Sequence, residues 1–478
     1  MSVIGIIDLQ TLSKLNPISR EKLFYAHTKM VVMDSTDATD AGDASDPDRR
    51  SSGFKNRTKL AEARRQLLGD ISPHERIDNL SLGQADSRVL AEPITAPRAV
   101  PGYERAAMDG WAVQAHDTFG AGDRSPKVLQ VADDTAESVP DTPVGPNEAV
   151  RVHTGSALPD GANAVVMIEQ VTQVGTEIEV FDAVTERENV APIGEDVAES
   201  QSLYNPGHQL RPSDLGLLKS VGHDRVQVYE RPTVGVIPTG EELVQSNPGP
   251  GEVVETNGLT VSHLANRWGG IATYRNVVTD DPAALRAAIQ RDLTKDVVVT
   301  TGGSSVGSRD LVPEIIDTLG SVLVHGVALK PGHPVALGII EDTPVIILPG
   351  YPVAAIVNAV QFLRPILKYI GHLPCNSPPT TTAQLSQKIP SEPGVRTFAR
   401  VRTETTTAAD SDIDTDAYID TNIDTNDVIS TIAKPTRASG SGVLSSVALA
   451  DGWVIVPESR EGLDAGETVS VEQWEWST

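Results

Sequence analysis

Apolar and polar positions change period several times along the chain. From Thr58, TKLAEARRQLLGDI places Leu60, Ala63, Leu67 and Leu68 on one helical face, which predicts an amphipathic helix. SLGQADSRVLAEPI reads as a second helix that begins at Ser81 and ends before Pro93. Over residues 98–190 short β-branched runs take over: GWAVQA, PKVLQVA, EAVRVHTG, NAVVMIEQV and TEIEVFDAV, divided by Gly/Pro turns. They predict a small all-β domain. Residues 191–228 return to turns with one helix, Pro212 to Val221.

Residues 229–372 alternate strand and helix. PTVGVIPTG leads into GLTVSHLANRWG, IATYRNVV into DDPAALRAAIQRDL, and DVVVTTGG into RDLVPEIIDTLG. VIILPG leads into YPVAAIVNAVQFLRPILKYI. This alternation specifies a doubly wound parallel sheet. Residues 373–478 are β-like again, in RTFARVRT, VLSSVALADGWVIVPE and TVSVEQW, and predict a C-terminal β domain. Residues 404–428 interrupt them with eight acids and no Lys or Arg, which reads as an acidic loop within a hairpin.

Three strands of the α/β segment end in glycine-bearing turns: Thr239-Gly240, Thr301-Gly302-Gly303 and Pro349-Gly350. Ligands of open α/β sheets bind beyond the carboxyl ends of strands, at the switch point. The stretch 296–310, DVVVTTGGSSVGSRD, is the fullest of the three. Its glycines let backbone approach a ligand, and its N–H groups attract anions. Asp310 sets a carboxylate beside that anion site, which suggests a metal between them; alternatively it is a helix-start acid favoured by the dipole.

A length of 478 residues with 39% apolar content supports several domains, and 4% aromatics makes their cores aliphatic. The net charge of −26 excludes a nucleic-acid face and argues against an anionic membrane surface. Only 12 Lys and 27 Arg stand against 65 acids. Such a surface suits very high salt, where the Debye length falls to roughly 3 Å at 1 M, and points to a halophile. The one cysteine, Cys375, excludes a disulfide framework or a Cys-rich metal site. No apolar run approaches 18 residues, so no membrane span is expected. Residues 1–56 read as a disordered or mis-started arm, with six Asp over residues 34–48. Arg49-Arg50 is followed by charge rather than an apolar segment, so export is disfavoured and the expected location is cytoplasmic.

The ordered motifs AMDGWAV (107–113), HTGSALPDGANAVVMIE (153–169), GEDV (194–197), IPTGEELV (237–244), TTGGSSVGSRD (300–310), ALKPGHPVALG (328–338), LPGYPVAA (348–355) and SGSGVLSSVALADGWVIVPE (439–458) carry a resemblance. The chain resembles the molybdopterin molybdotransferases, a family that includes the C-terminal domain of gephyrin. The resemblance runs from about Thr58 to Trp476. It implies a multidomain α/β plus β fold: a doubly wound molybdopterin-binding α/β domain, an all-β domain, a helical/irregular domain and a C-terminal β-barrel-like domain. The boundaries are 57–97 with 191–228 (helical/irregular), 98–190 (all-β), 229–372 (α/β) and 373–478. It further implies an elongated, L-shaped protomer and a homodimer with its active site between subunits. The implied reaction takes adenylylated molybdopterin and molybdate as substrates. The phosphoanhydride is cleaved, AMP leaves and molybdenum enters the dithiolene, with Mg²⁺ assisting. A molybdopterin adenylyltransferase and apo-molybdoenzymes are the partner proteins so implied. Tungstate is alike in size and charge to molybdate.

Carried onto matching positions, the resemblance implies Asp109, Glu195, Glu241, Asp310 and Lys330 as catalytic, with Glu241 and Asp310 as metal ligands. Glu241 stands where the family usually has Asp. Lys330, as an ammonium, suits phosphate or molybdate; its bland reading is a strand-end lysine. His333 stands where the family often has a second lysine, and a neutral imidazole there supplies a donor and no charge. Thr154, Gly155, Thr239, Gly240, Thr301, Gly302, Gly303, Ser304, Ser305, Pro331, Gly350, Ser441 and Ser445 are the expected substrate contacts. For Thr154-Gly155 and for the Gly/Ser-rich hairpin of Ser441, Ser445 and Ser446, an ordinary turn is the other reading. Two further functions stay open: the adenylyltransferase, which shares the α/β domain but is usually that domain alone, and a non-catalytic molybdopterin-binding scaffold.

Overall fold

The computed structural model describes residues 57–133, 142–303, 311–406, 430–436 and 441–476. The N-terminal arm, Ser304, Ser305, Asp310 and the acidic stretch beyond Thr406 lie outside these residues.

The β-branched runs of the α/β segment form one six-stranded sheet. Its strands are β1 (Thr233–Pro238), β2 (Ile271–Tyr274), β3 (Val297–Thr301), β4 (Ser321–His325), β5 (Ala336–Ile340) and β6 (Thr343–Leu348). The order is β2-β1-β3-β6-β5-β4. β2, β1, β3 and β6 are parallel, whereas β5 runs antiparallel to both its neighbours. The predicted parallel sheet therefore carries an antiparallel edge pair. Helices α1 (Leu60–Gly69), α2 (Pro212–Ser220), α3 (Asn257–Arg267), α4 (Pro282–Asp292), α5 (Leu311–Leu319), α6 (Pro352–Asn358) and α7 (Arg364–Ile370) follow in chain order.

Burial on both faces explains the unbroken Val297-Val298-Val299 run. All three are fully buried, each worth about 1.5–3 kcal/mol on transfer from water. Val297 and Val299 join a core with α3, α6 and α7; Val298 joins the opposite core with α4 and α5. α1 adds Leu60, Ala63 and Leu67 to the first of these cores, so this helix from the N-terminal segment packs against the α/β domain. Leu68, predicted on the same face, is partly buried against it.

The predicted second helix over 81–92 does not form. Ile77–Ser81 is instead a strand paired with Arg225–Tyr229, and only Leu82–Gln84 makes a helical turn. Gly83 weakens a helix, and Ser87 sits at φ +62°, which no helix interior accommodates. The Gly/Ser hairpin expected around Ser445 is likewise a short helix, Ser445–Ala448.

The segment Pro352–Ile370 is longer and more apolar than the run-length reading allowed. By length and composition it could cross a membrane, yet 89% of it is buried inside the protein. It is a core helix, interrupted by a π-turn at Ala359–Leu363. Pro365 has no N–H to give Gln361 O, and the Arg64 Nε of α1 donates to that carbonyl at 2.8 Å instead.

The small β domain holds six strands in one sheet, from Gly110–Val113 to Glu177–Val180. In the last domain Thr380–Leu385, Arg396–Thr406, Ser430–Pro435, Gly452–Val456 and Thr468–Glu472 close on themselves. Arg396–Thr406 pairs with both Ser430–Pro435 and Gly452–Val456, which seals a five-stranded barrel. Leu329–Lys330 also pairs, in parallel, with Arg396 and Thr397. Backbone hydrogen bonding thus fixes the Lys330 segment to the barrel.

Candidate active site at the carboxyl edge of the sheet

The strand order reverses between β1 and β3, which makes their carboxyl ends the switch point. Register places Pro238 beside Thr301, and Thr301 beside Leu348. The three glycine turns consequently lie side by side. Thr239 N–H donates to Thr301 O and Gly302 N–H to Leu348 O, both at 3.0 Å.

Two glycines make this approach possible. Gly302 has φ +107°, and a Cβ there would sit 2.3 Å from Thr239 O. Gly303 has φ +70°, and its Cβ would sit 2.5 Å from Val312 Cγ2. In the third turn a Cβ on Gly350 would stand 3.8 Å from Gly302 Cα, and Asn257 Nδ2 donates to Gly350 O at 2.6 Å. Ser441 reaches the same wall through its backbone, where its carbonyl accepts from Val353 N–H at 3.1 Å.

The hydroxyls of Thr239, Thr300 and Thr301 are buried at this edge, and none has a hydrogen-bond partner among the described residues. An unmade buried hydrogen bond costs about 1–3 kcal/mol. Three such groups beside open backbone turns are donors and acceptors waiting for a polar ligand.

Negative charge gathers on the β1 side of the edge. Glu241 and Glu242 are exposed in the turn after Gly240. Asp280 lies beside the Glu241 backbone, and its Oδ1 is buried without a partner among the described residues. Burial, and then the Glu242 and Glu241 charges, push the Asp280 carboxyl above its ordinary range. The sequence reading missed Asp280. A signal was present: Asp281 caps α4 through Ala284 N–H at 2.8 Å, which leaves the first acid of the Asp-Asp pair unemployed. No group of three metal-ligating side chains occurs among the described residues. Magnesium, however, needs only one or two protein carboxylates when phosphate oxygens complete its shell. The carboxylate excess around Glu241, with an orphaned oxygen on Asp280, fits that chemistry.

Lys330 is exposed, and its Nζ lies 3.2 Å from Glu392 Oε1 in the barrel domain. Glu392 could not have been found from sequence, because it lies 62 residues away and in another domain. Pro331 and Gly332 follow in a loop pinned by Asn358 Nδ2, which donates to Gly332 O at 2.9 Å. Burial, then the charge of Arg57, pulls His333 below the usual imidazole value, so it is neutral at pH 7.

Of the remaining predicted residues, Asp109, Thr154 and Gly155 lie on the small β domain and Glu195 just beyond it. Asp109 Oδ1 accepts from Thr154 N–H at 2.7 Å and from Thr154 Oγ1 at 2.9 Å. These bonds, backbone first, hold the Asp109 carboxyl below its ordinary range. Gly155 N–H donates to Ala106 O at 2.8 Å. Glu195 Oε2 pairs with the Arg105 guanidinium at 2.9 Å, a partner that sequence reasoning did not single out. Asp109 and Glu195 are both exposed. Among the described residues, no hydrogen bond or ion pair joins this group to the sheet edge. Ser445 is exposed on its short helix, and no hydrogen bond of its side chain is found.

Three family models match the chain: "MoeA N-terminal region (domain I and II)" over residues 58–222, "Probable molybdopterin binding domain" over 235–369, and "MoeA C-terminal region (domain IV)" over 422–474. A protein named for molybdopterin biosynthesis in Methanocaldococcus jannaschii is 34% identical over 433 residues, spanning 87% of this chain and 98% of its own. The chain belongs to the MoeA family. A Bacillus subtilis member, named molybdopterin molybdenumtransferase, is 36% identical over 228 residues, 46% of this chain and 53% of its own. The crystal structure of the molybdopterin biosynthesis MoeA protein from Pyrococcus horikoshii superposes with a TM-score of 0.71 at 31% identity. It covers 88% of this chain and 99% of its own. The N-terminal MoeA region contains the small β domain, and the C-terminal one covers the last three strands of the barrel.

Proposed function

We propose that this protein is a molybdopterin molybdotransferase of molybdenum cofactor biosynthesis. It inserts molybdenum from molybdate into adenylylated molybdopterin and releases AMP. The observation that carries this reading is the trio of partnerless hydroxyls, Thr239, Thr300 and Thr301, beside the Gly302-Gly303 turn at the switch point. The adenylyltransferase alternative is less supported, since MoeA-type regions flank the α/β domain on both sides.

In this reading Thr239, Gly240, Thr301, Gly302, Gly303 and Gly350 line the phosphate end of the substrate. Ser304 and Ser305, outside the described residues, and Ser441 and Ser445 of the last domain are the further substrate contacts of this reading. Lys330 and Pro331 receive the molybdate oxyanion, with the ammonium as a point charge. Magnesium would be held by Glu241 and Asp310 and would neutralise phosphoanhydride oxygens. Asp109 and Glu195, with Thr154 and Gly155, act from the second protomer of a homodimer. That assignment is supported by their exposure and by the lack of any bond to the edge in their own protomer. We place the enzyme in the cytoplasm. We read its net charge of −26 as adaptation to high salt. Loss of stability on dilution into low salt is the expected outcome; indifference to salt overturns that reading.

The test of function is incubation with adenylylated molybdopterin, molybdate and Mg²⁺. AMP release, with transfer of an active cofactor to an apo-molybdoenzyme, is expected. Absence of both overturns the assignment. Full activity in both Asp310→Ala and Lys330→Ala would remove those residues from the site.

A further inference from the structure

A cluster of cations lies away from the carboxyl edge, at the other end of the helical segment that starts at Pro352. At about 1.5 Å per residue, Arg364 stands roughly 18 Å along that segment from the Gly350 turn. Arg364 is 7% exposed and Lys368 3% exposed. Four positions apart on α7, they share one face. Arg64, from α1, is the third member. Besides its bond to Gln361 O, it donates to Gln361 Oε1. Arg364 donates to Asn376 O at 2.6 Å, in the segment that leads into the barrel domain.

Among the described residues no ion pair offsets Arg64, Arg364 or Lys368, in a chain whose net charge is −26. Glu472 acts on Arg64 electrostatically, but its carboxylate already accepts from Trp453 Nε1 at 3.0 Å. Arg396, a nearby cation, is paired with Glu458 at 2.9 Å. The Lys368 ammonium has neither a hydrogen bond nor an ion pair among the described residues. A place in the last turn of α7 favours a cation. The Lys368 stem is buried, and no carboxylate among the described residues occupies its ammonium. Burial, and then the Arg364 charge, hold Lys368 below its usual value, and burial does the same to Arg64. The cluster opens to solvent along exposed Pro374, Cys375, Asn376 and Ser377.

We infer that Arg64, Arg364 and Lys368 form a second anion site, distinct from the catalytic edge, which takes a phosphate-class tetrahedral oxyanion. Two guanidinium groups and an ammonium match the donors such an anion needs, and its charge supplies what the cluster lacks. The three residues and the Asn376 carbonyl come from α1, α7 and the lead into the barrel. A bound anion therefore bridges α1 and α7, while Arg364 keeps its own bond to the Asn376 carbonyl.

Cys375, the one cysteine of the chain, is a native reporter. It is exposed and lies within electrostatic range of both Arg64 and Lys368. Its alkylation by neutral iodoacetamide is measured on the full chain, in phosphate and in chloride of equal ionic strength. Phosphate is expected to slow alkylation severalfold, because an anion held by the neighbouring cations covers the thiol. An unchanged rate overturns the site. Lys368→Met keeps the apolar stem and is expected to abolish the phosphate effect; retention of the effect overturns the assignment. Lys330→Ala is expected to keep it, and its loss there would place the anion at the catalytic edge instead. Should Lys368→Met fail to fold, the wild-type comparison decides alone. AMP in place of phosphate distinguishes a free oxyanion from one carried on a nucleotide.

Discussion

The Lys330 ammonium and the Glu392 carboxylate lie 3.2 Å apart and link the α/β domain to the barrel. Both side chains are substantially exposed, at 47% and 60%, so the pair is worth only about 0.2–1 kcal/mol. It is weak enough for an incoming oxyanion to displace Glu392. Glu392→Gln is therefore expected to lower the KM for molybdate, by up to about fivefold. Lys330→Ala should raise it. Steady-state AMP release across a molybdate series checks both, and a KM unmoved in both variants would detach Lys330 from the oxyanion.

Thr301 is 1% exposed and its hydroxyl is unpaired. Thr301→Val removes a buried polar group at nearly constant volume. Stability without substrate should rise by about 1 kcal/mol, while kcat/KM falls. Thermal unfolding and AMP release read the two effects. A lower melting temperature would mean that the hydroxyl is already satisfied.

Gly302 and Gly155 both have positive φ, at +107° and +88°, but only Gly302 meets backbone where a Cβ would stand. Gly302→Ala should cost about 3 kcal/mol and most of the activity. Gly155→Ala, with open space around it, should cost only about 1 kcal/mol of backbone strain. Urea midpoints of the two variants test the contrast. Equal losses would refute the steric account.

Asp214 is buried and accepts from Tyr204 Oη, His208 Nε2 and the Arg211 guanidinium, at 3.0, 2.8 and 2.9 Å. Burial alone would raise its pKa, but the hydrogen bonds, with Arg211 foremost, hold it well below the usual carboxylate range. A depressed carboxylate stabilises the fold above its unfolded value, about 3.9, and loses that contribution as pH falls through the folded value. Asp214→Asn should cost about 2–3 kcal/mol at pH 7, discounted because Arg211 is 69% exposed. It should also flatten the decline in stability below about pH 4. An unaltered acid limb would show that other carboxylates dominate acid unfolding.

The Asp280-Asp281-Pro282 segment shows what sequence reading could and could not reach in the site. A helix start was legible there, because Asp before Pro is a capping pattern and α4 begins at Pro282. The extra acid was visible too. Its burial beside the Glu241 backbone depended on where two parallel strands end in space. The failed helix over 81–92 has the same origin. Its local pattern is helical, but Ser81 pairs with Arg225, and Val89 and Leu90 bridge to Gln209 and Val228, far along the chain.

The sequence by itself determined the α/β alternation, the three glycine turns and the family motifs, because each follows from local periodicity or from residues adjacent in the chain. Tertiary structure alone decided the rest. Register between β1, β3 and β6 set Thr239, Thr301 and Gly350 at one edge. Chain closure placed Glu392 on Lys330 and gathered Arg64 with Arg364 and Lys368. These are contacts between residues far apart in sequence. They are fixed by the packing of whole elements, to which no single stretch of residues carries the signal.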